Sequence, residues 1–270
     1  MALKWNKPNQ FFKSLLLLGS LFLAACDFSP RLYKEIFTAQ QYIQQQKYSL
    51  ALKKYEEILT QNPPVLVKIK VYYQMGELYS TYLANHRQGL EYFKKIKEVT
   101  EDPLWLVQAE EKMAEINFTY LKDFEQSIQS YTTLANFLPK LNKLDFYEFR
   151  LALSYQGQGR YAEAKKLLQQ IAYRPGHEFH VAALYQLGLL SFENKQWKDA
   201  IKYWQEYNQQ ETRKDSIVAT KFLMANAYET MEDLENAYHL YYSILGEYPN
   251  PEVVKNRLNA IYNRKVARKR

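Results

Sequence analysis

Phe149–Pro175 reads FRLALSYQGQGRYAEAKKLLQQIAYRP, and this stretch decides the architecture. Ala152 and Tyr155 sit at helical spacing, Gly159-Arg160-Tyr161 interrupts, and Ala164 and Leu168 resume the spacing before Pro175. The pattern predicts two short amphipathic helices joined by a tight turn. The same arrangement returns at Gly188, Trp197, Ala200 and Trp204, and again at Ala225, Tyr228, Ala237, Tyr241 and Pro249. Upstream it is met at Ala39, Tyr42, Tyr48, Ala51, Tyr55 and Pro63, at Gly76, Tyr79, Gly89, Phe93 and Pro103, and at Ala114, Phe118, Ser127, Tyr131 and Pro139. The second small residue of each unit recurs at intervals of 38, 38, 37, 36 and 37. Self-similarity on this scale predicts stacked helix pairs, each burying its apolar face against the next.

The residue types follow from packing. Antiparallel helices about 8–10 Å apart need small side chains where their backbones come closest. Each unit supplies two, such as Ala152 with Ala164 or Ala225 with Ala237. The large residue four positions after the second small one (Leu168, Trp204, Tyr241) lies on the same helical face and fills the gap beyond it. The second and third repeats each carry one extra residue between their small positions, which the spacing assigns to the inter-helix turn.

This pattern of small, Tyr, small, aromatic and Pro positions resembles the tetratricopeptide repeat. The resemblance implies an all-α, right-handed solenoid of about six helix-turn-helix repeats that holds peptides or proteins in a concave groove. The period exceeds the usual value of about 34 residues, so longer connections are expected. The groove-lining position, three residues before the first small residue, is occupied by Ile36, Tyr73, Glu111, Phe149, Tyr185 and Phe222. Tyr73, Phe149, Tyr185 and Phe222 are the candidate protein-binding residues, aromatic anchors being frequent sources of binding energy. Ile36 and Gln40 stand where related chaperone clamps place a carboxylate-binding pair, so that mode of recognition is not expected.

The N-terminus carries a different message. Lys4, Lys7 and Lys13 precede the apolar run Ser14–Ala25, SLLLLGSLFLAA. That run is shorter than the roughly 20 residues of a membrane-spanning helix and has the form of a signal peptide over residues 1–25. Leu23-Ala24-Ala25-Cys26 resembles a bacterial lipobox, which implies cleavage before Cys26 and acyl chains on its thiol. Cys26 is the sole cysteine, which excludes an internal disulfide or a multi-cysteine metal cluster. Residues 26–30 then form a short tether, residues 31–249 the repeats, and residues 250–270 a capping helix with a basic tail. The expected location is the periplasm-facing side of the outer membrane, with the inner membrane as the alternative because Asp27 follows the lipidated position.

From Val253 to Arg270 there are seven Lys or Arg and no acid, so the formal net charge of +7 is largely local. A nucleic-acid-binding body is therefore not expected. Arg264, Lys265, Arg268, Lys269 and Arg270 are candidates for anionic lipid or an acidic protein surface. His177 and His180 have i, i+3 spacing, but no metal, cofactor or catalytic motif is expected. Two lipoprotein families look similar over nearly the whole chain: BamD-like components of the β-barrel assembly machine, and pilotins of type IV pili. The resemblance implies a non-enzymatic scaffold for an envelope complex, binding envelope proteins in its groove. The alternative is an accessory factor recruiting peptidoglycan-modifying enzymes.

Overall fold

A computed structural model describes residues 28–268; Cys26, Lys269 and Arg270 lie outside the described residues. The chain divides into two compact units, Met1–Ile116 and Asn117–Arg270. The first unit holds α1 (Phe28–Gln44), α2 (Tyr48–Thr60), α3 (Val65–Glu77), α4 (His86–Val99) and α5 (Pro103–Glu115). The second holds α6 (Phe124–Ala135), α7 (Leu144–Gly157), α8 (Tyr161–Tyr173), α9 (His180–Glu193), α10 (Trp197–Gln210), α11 (Lys214–Thr230), α12 (Leu234–Ile244) and α13 (Pro251–Ala267). The described residues contain no strand. Within each unit the helices pack in chain order, each on its neighbours in sequence.

The turns share one geometry in all six repeats. Each has a residue in the left-handed region five positions before the second small residue: Gln46, Ala84, Lys122, Gly159, Lys195 and Glu232, with φ between 52° and 78° in every case. The next residue's N–H reaches back across the turn, as in Lys47 to Tyr42 O (2.8 Å), Arg160 to Tyr155 O (2.9 Å), Gln196 to Ser191 O (2.8 Å) and Asp233 to Tyr228 O (2.9 Å). These bonds close the ends of the first helices in the manner of a left-handed C-cap. In the second and third repeats the bond spans one residue more, from Asn85 to Tyr79 O (2.7 Å) and from Asp123 to Asn117 O (3.0 Å). There the first helix ends in a π-helical stretch, Leu78–Tyr82 or Ile116–Leu121. The extra residue therefore widens the helix end and leaves the turn itself unchanged, a correction to its expected place. A wider helical ring absorbs an insertion without rotating the residues that follow. Asn85, Asp123 and Asp233 then cap the second helices, accepting from the N–H of Gln88, Gln126 and Asn236.

Every predicted small position is buried, as are all six large partners: Tyr55, Phe93, Tyr131, Leu168, Trp204 and Tyr241. In two pairs a glycine faces an aromatic ring. Trp204, the largest, lies against Gly188, where an added Cβ would stand 2.2 Å from the indole nitrogen. Phe93 lies against Gly76, whose hypothetical Cβ would meet its ring at 2.7 Å. In the fourth repeat, Leu168 is paired with Ala152 instead. At the C-terminus, Val254, Leu258 and Ile261 bury one face of α13 in the core of the last repeat. This capping helix runs on to Ala267.

Gly188→Ala should lower the thermal midpoint, at a cost of about 1–3 kcal/mol for overpacking. Adding Trp204→Leu should recover part of the loss by recreating the Ala/Leu pairing of the fourth repeat; purely additive losses would contradict the pairing. Replacing Lys195 by glycine should raise the midpoint, with a gain in stability of up to about 1–2 kcal/mol, because the left-handed conformation is costly for a side chain with a Cβ. A lower midpoint would contradict the assignment of strain to that turn.

Candidate protein-binding site

The first helices place the candidate aromatics, and each ring has a distinct environment. In the second unit, Phe149 on α7 stacks on Phe179 with ring centroids 4.9 Å apart. Tyr185 on α9 leans on Tyr207 of α10 at 5.5 Å. Phe149, Tyr185 and Tyr207 line a cleft of 680 Å³ together with Val181, Ala182, Gln186, Ser216 and Ala219. Its volume falls within the 300–1,000 Å³ typical of binding concavities. Phe222, on α11, is not among these lining residues. Tyr248 stacks over it at 4.5 Å and Tyr241 meets its edge at 5.4 Å. In the first unit, Tyr73 on α3 packs edge-on against Phe93 and Trp105 and lines a separate concavity of 270 Å³.

Tyr207 is a cleft residue that the repeat pattern did not single out. Seven residues after the second small position, the six repeats carry Ile58, Ile96, Leu134, Ile171, Tyr207 and Ile244, all buried. Only the fifth departs from a branched aliphatic there, and that departure was the available signal. Its hydroxyl donates to Glu211 at 2.7 Å. Glu211 also accepts from the backbone N–H of Thr212 and Arg213, both at 2.9 Å, and from the Arg213 guanidinium at 2.7 and 3.1 Å. These donors, the Arg213 side chain foremost, hold the Glu211 carboxyl well below the usual carboxylate range. The short loop between α10 and α11 is thereby tied to the cleft wall, with a fixed negative group beside an exposed guanidinium.

The two histidines do not converge. The Nδ1 of His180 faces the His177 carbonyl at 2.9 Å, whereas the buried His177 ring points to the start of α7. There Nε2 lies 3.4 Å from Glu148 and 3.7 Å from Asp145. Both carboxylates also pair with Arg174. His177 Nδ1 accepts from the Phe179 N–H at 3.0 Å, which puts the proton of the neutral ring on Nε2. That nitrogen then has no lone pair for a metal, and the carboxylates already hold a cation. The cluster locks the 174–180 loop and with it Phe179, the partner of Phe149. Burial lowers the His177 pKa; Arg174 adds to this, while Asp145 and Glu148 oppose it.

The basic tail is also engaged within the chain. Arg264 bonds Glu229 at 3.1 Å and Glu232, and Arg268 bonds Glu232. Lys265 lies over the Tyr238 ring at 5.9 Å. These three residues fasten α13 to α11, α12 and the turn between them.

Residues 148–176 and 182–210 match the tetratricopeptide repeat model. No curated protein matches the sequence. Among solved structures, PilW, a widely conserved type IV pilus biogenesis factor, aligns with a TM-score of 0.51 at 17% identity over 87% of this chain and 99% of its own. The apo quorum sensor NprR from B. thuringiensis aligns at 0.54 and 18% identity, over 92% of this chain and 73% of its own. A STAND protein with a tetratricopeptide repeat sensor from Pyrococcus horikoshii aligns at 0.58 and 17% identity over 87% of this chain, which spans 39% of it.

His177 is neutral in the folded chain at pH values where the unfolded chain takes up a proton, so the stability this confers is lost as pH falls below about 6.5. The thermal midpoint should therefore drop between about pH 7 and about pH 5.5. His177→Asn, whose Oδ1 can accept the Phe179 N–H, should show a shallower drop; an equal slope would exclude His177 as its source. The repeats, the helix pairs and the structural likeness lead to one conclusion: the chain has an all-α tetratricopeptide-repeat fold.

Proposed function

We propose that this chain is a lipid-anchored scaffold that holds envelope proteins during assembly of a secretin or pilus complex, without catalysing a reaction. The observation that carries the reading is the aromatic cleft formed by Phe149, Tyr185 and Tyr207, set on rigid helices and tied down by Glu211. A cleft of this kind offers apolar, low-entropy contact area to a protein segment. The lipobox Leu23-Ala24-Ala25-Cys26 supports membrane attachment through acyl chains, each buried CH₂ contributing about 0.8 kcal/mol. The near-complete alignment with PilW, itself a pilus biogenesis factor, fits pilus assembly better than β-barrel assembly, although at this identity it establishes only the fold. The outer membrane is the proposed site, with the chain facing the periplasm.

Cys26→Ser should move the chain from the membrane to the soluble fraction; unchanged retention would contradict the lipid anchor. Affinity capture with the lipidated chain should recover secretin or pilus subunits. Recovery of cell-wall hydrolases instead would favour a recruiting role. Alanine at Phe149 and Tyr185 should weaken capture about tenfold or more, the loss of an aromatic anchor being worth over ~1 kcal/mol. Phe222→Ala should mainly lower the thermal midpoint.

A further inference from the structure

The first helices of the first unit begin with exposed apolar side chains. Tyr33 on α1, Val65 and Leu66 on α3 and Leu104 on α5 are each more than half exposed. Phe37, one turn after Tyr33, is exposed on the same face of α1, which turns away from the buried Leu32 and Ala39. The second unit lacks this pattern: α7, α9 and α11, the first helices of the fourth to sixth repeats, carry no exposed large apolar residue in their opening turns. The outer face of a terminal repeat is ordinarily polar, so the apolar face of α1 calls for a cover. Ile36 and Gln40 of α1 line one concavity with Lys70, Val71 and Gln74 of α3, so Tyr33, a turn earlier, stands level with Leu66. Gln61, at the end of α2, donates to Glu35 at 2.7 Å and closes the same edge. Residues 28–38 and 61–72 hold Arg31, Lys34, Lys68 and Lys70 against a single acid, Glu35, which Arg31 pairs at 3.2 Å. Beside Leu104 stand Glu101 and Asp102, so the cationic part of the edge is confined to α1 and α3.

The covalent chain sets what lies against this edge. α1 starts at Phe28, and two residues of extended backbone bring Cys26 no further than about 7 Å from that start. Acyl chains on Cys26 therefore keep the opening turns of α1 at the headgroup layer, while the far end of this 17-residue helix lies about 25 Å away. Apolar side chains flanked by cations enter such a layer by about 5–10 Å. We propose that Tyr33, Phe37, Val65 and Leu66 rest in the headgroup layer of an anionic membrane, with Lys34, Lys68 and Lys70 on its phosphates, so that anchor and edge together hold the first unit in one orientation. The proposal rests on the lipid-anchor reading and adds to it a second, non-covalent membrane contact.

The test places the photo-crosslinker p-benzoylphenylalanine at Tyr33, Leu66, Leu50 or Leu83 of the full chain, purified from membranes and held in nanodiscs of phosphatidylethanolamine with phosphatidylglycerol as the minor lipid. Leu50 and Leu83 are also apolar and exposed but sit at the opposite end of the same helices, which makes them controls for unspecific contact. Lipid adducts, read by mass spectrometry, should form from positions 33 and 66 and fall to background at positions 50 and 83. Lys34→Gln should lower the ratio of phosphatidylglycerol to phosphatidylethanolamine adducts by up to about fivefold, the effect of one basic residue at an anionic surface, with the thermal midpoint unchanged. No lipid adduct from positions 33 and 66, equal yields at all four positions, or adducts to a second copy of the chain in their place would overturn the proposal. An unchanged ratio in Lys34→Gln would overturn the assignment of anionic lipid. If the edge gives no adducts while Cys26→Ser still releases the chain, the edge is retired and the anchor stands. If Cys26→Ser changes nothing yet positions 33 and 66 reach lipid, the anchor reading fails and the edge is retained.

Discussion

The structure depends on a close approach between two helix backbones with a large side chain lying in the space beside it. Where Gly188 presents bare backbone, Trp204 fills the gap; where Ala152 stands, Leu168 suffices. This complementarity sets how near the helices of a pair can come. It also commits the inner face of each second helix to the core. The remaining face of the first helices is free of that duty, and there Tyr185 and Phe149 line a cleft. Binding capacity is thus a by-product of how the pairs are built, with interiors packed to the density of organic crystals and little freedom to rearrange.

Regular turns make the repetition workable. The left-handed residue and the backward N–H bond recur in all six pairs, five of them without the glycine that such a conformation favours. Sequence variation in length is absorbed elsewhere, in π-helical stretches at Leu78–Tyr82 and Ile116–Leu121 and in connections such as residues 136–143. Insertions therefore leave the small and large positions in register. Charge plays the same supporting part: Glu229 and Glu232 hold the arginines of α13 against the last pair. A terminal helix of this kind closes a repeat array that would otherwise expose apolar surface.

Much of this was legible in the sequence because packing constraints are local and periodic. The twelve small positions and their six large partners were readable from spacing alone, and each is buried. The extra residue of the second and third repeats was visible too, but its placement needed coordinates, since an insertion can enter a helix end or a turn with the same spacing. The concavities were only partly legible. Tyr73, Phe149 and Tyr185 line concavities, whereas Phe222 is covered by Tyr248 from a loop whose path no periodicity encodes. His177 belongs with Asp145 and Glu148, residues far from it in sequence, and not with His180. The two-unit division was likewise hidden, because the repeat pattern continues across Ile116 and Asn117 without a break.

The central claim is that partners engage the face carried by the first helices. It is tested most directly by placing a photo-crosslinking amino acid at single positions of the full chain in living cells. The account predicts partner adducts from position 185 and from position 186 on α9, which line the cleft. It predicts none from position 202 or position 206 on α10, outside the cleft lining. Adducts from α10 with none from α9 would contradict it.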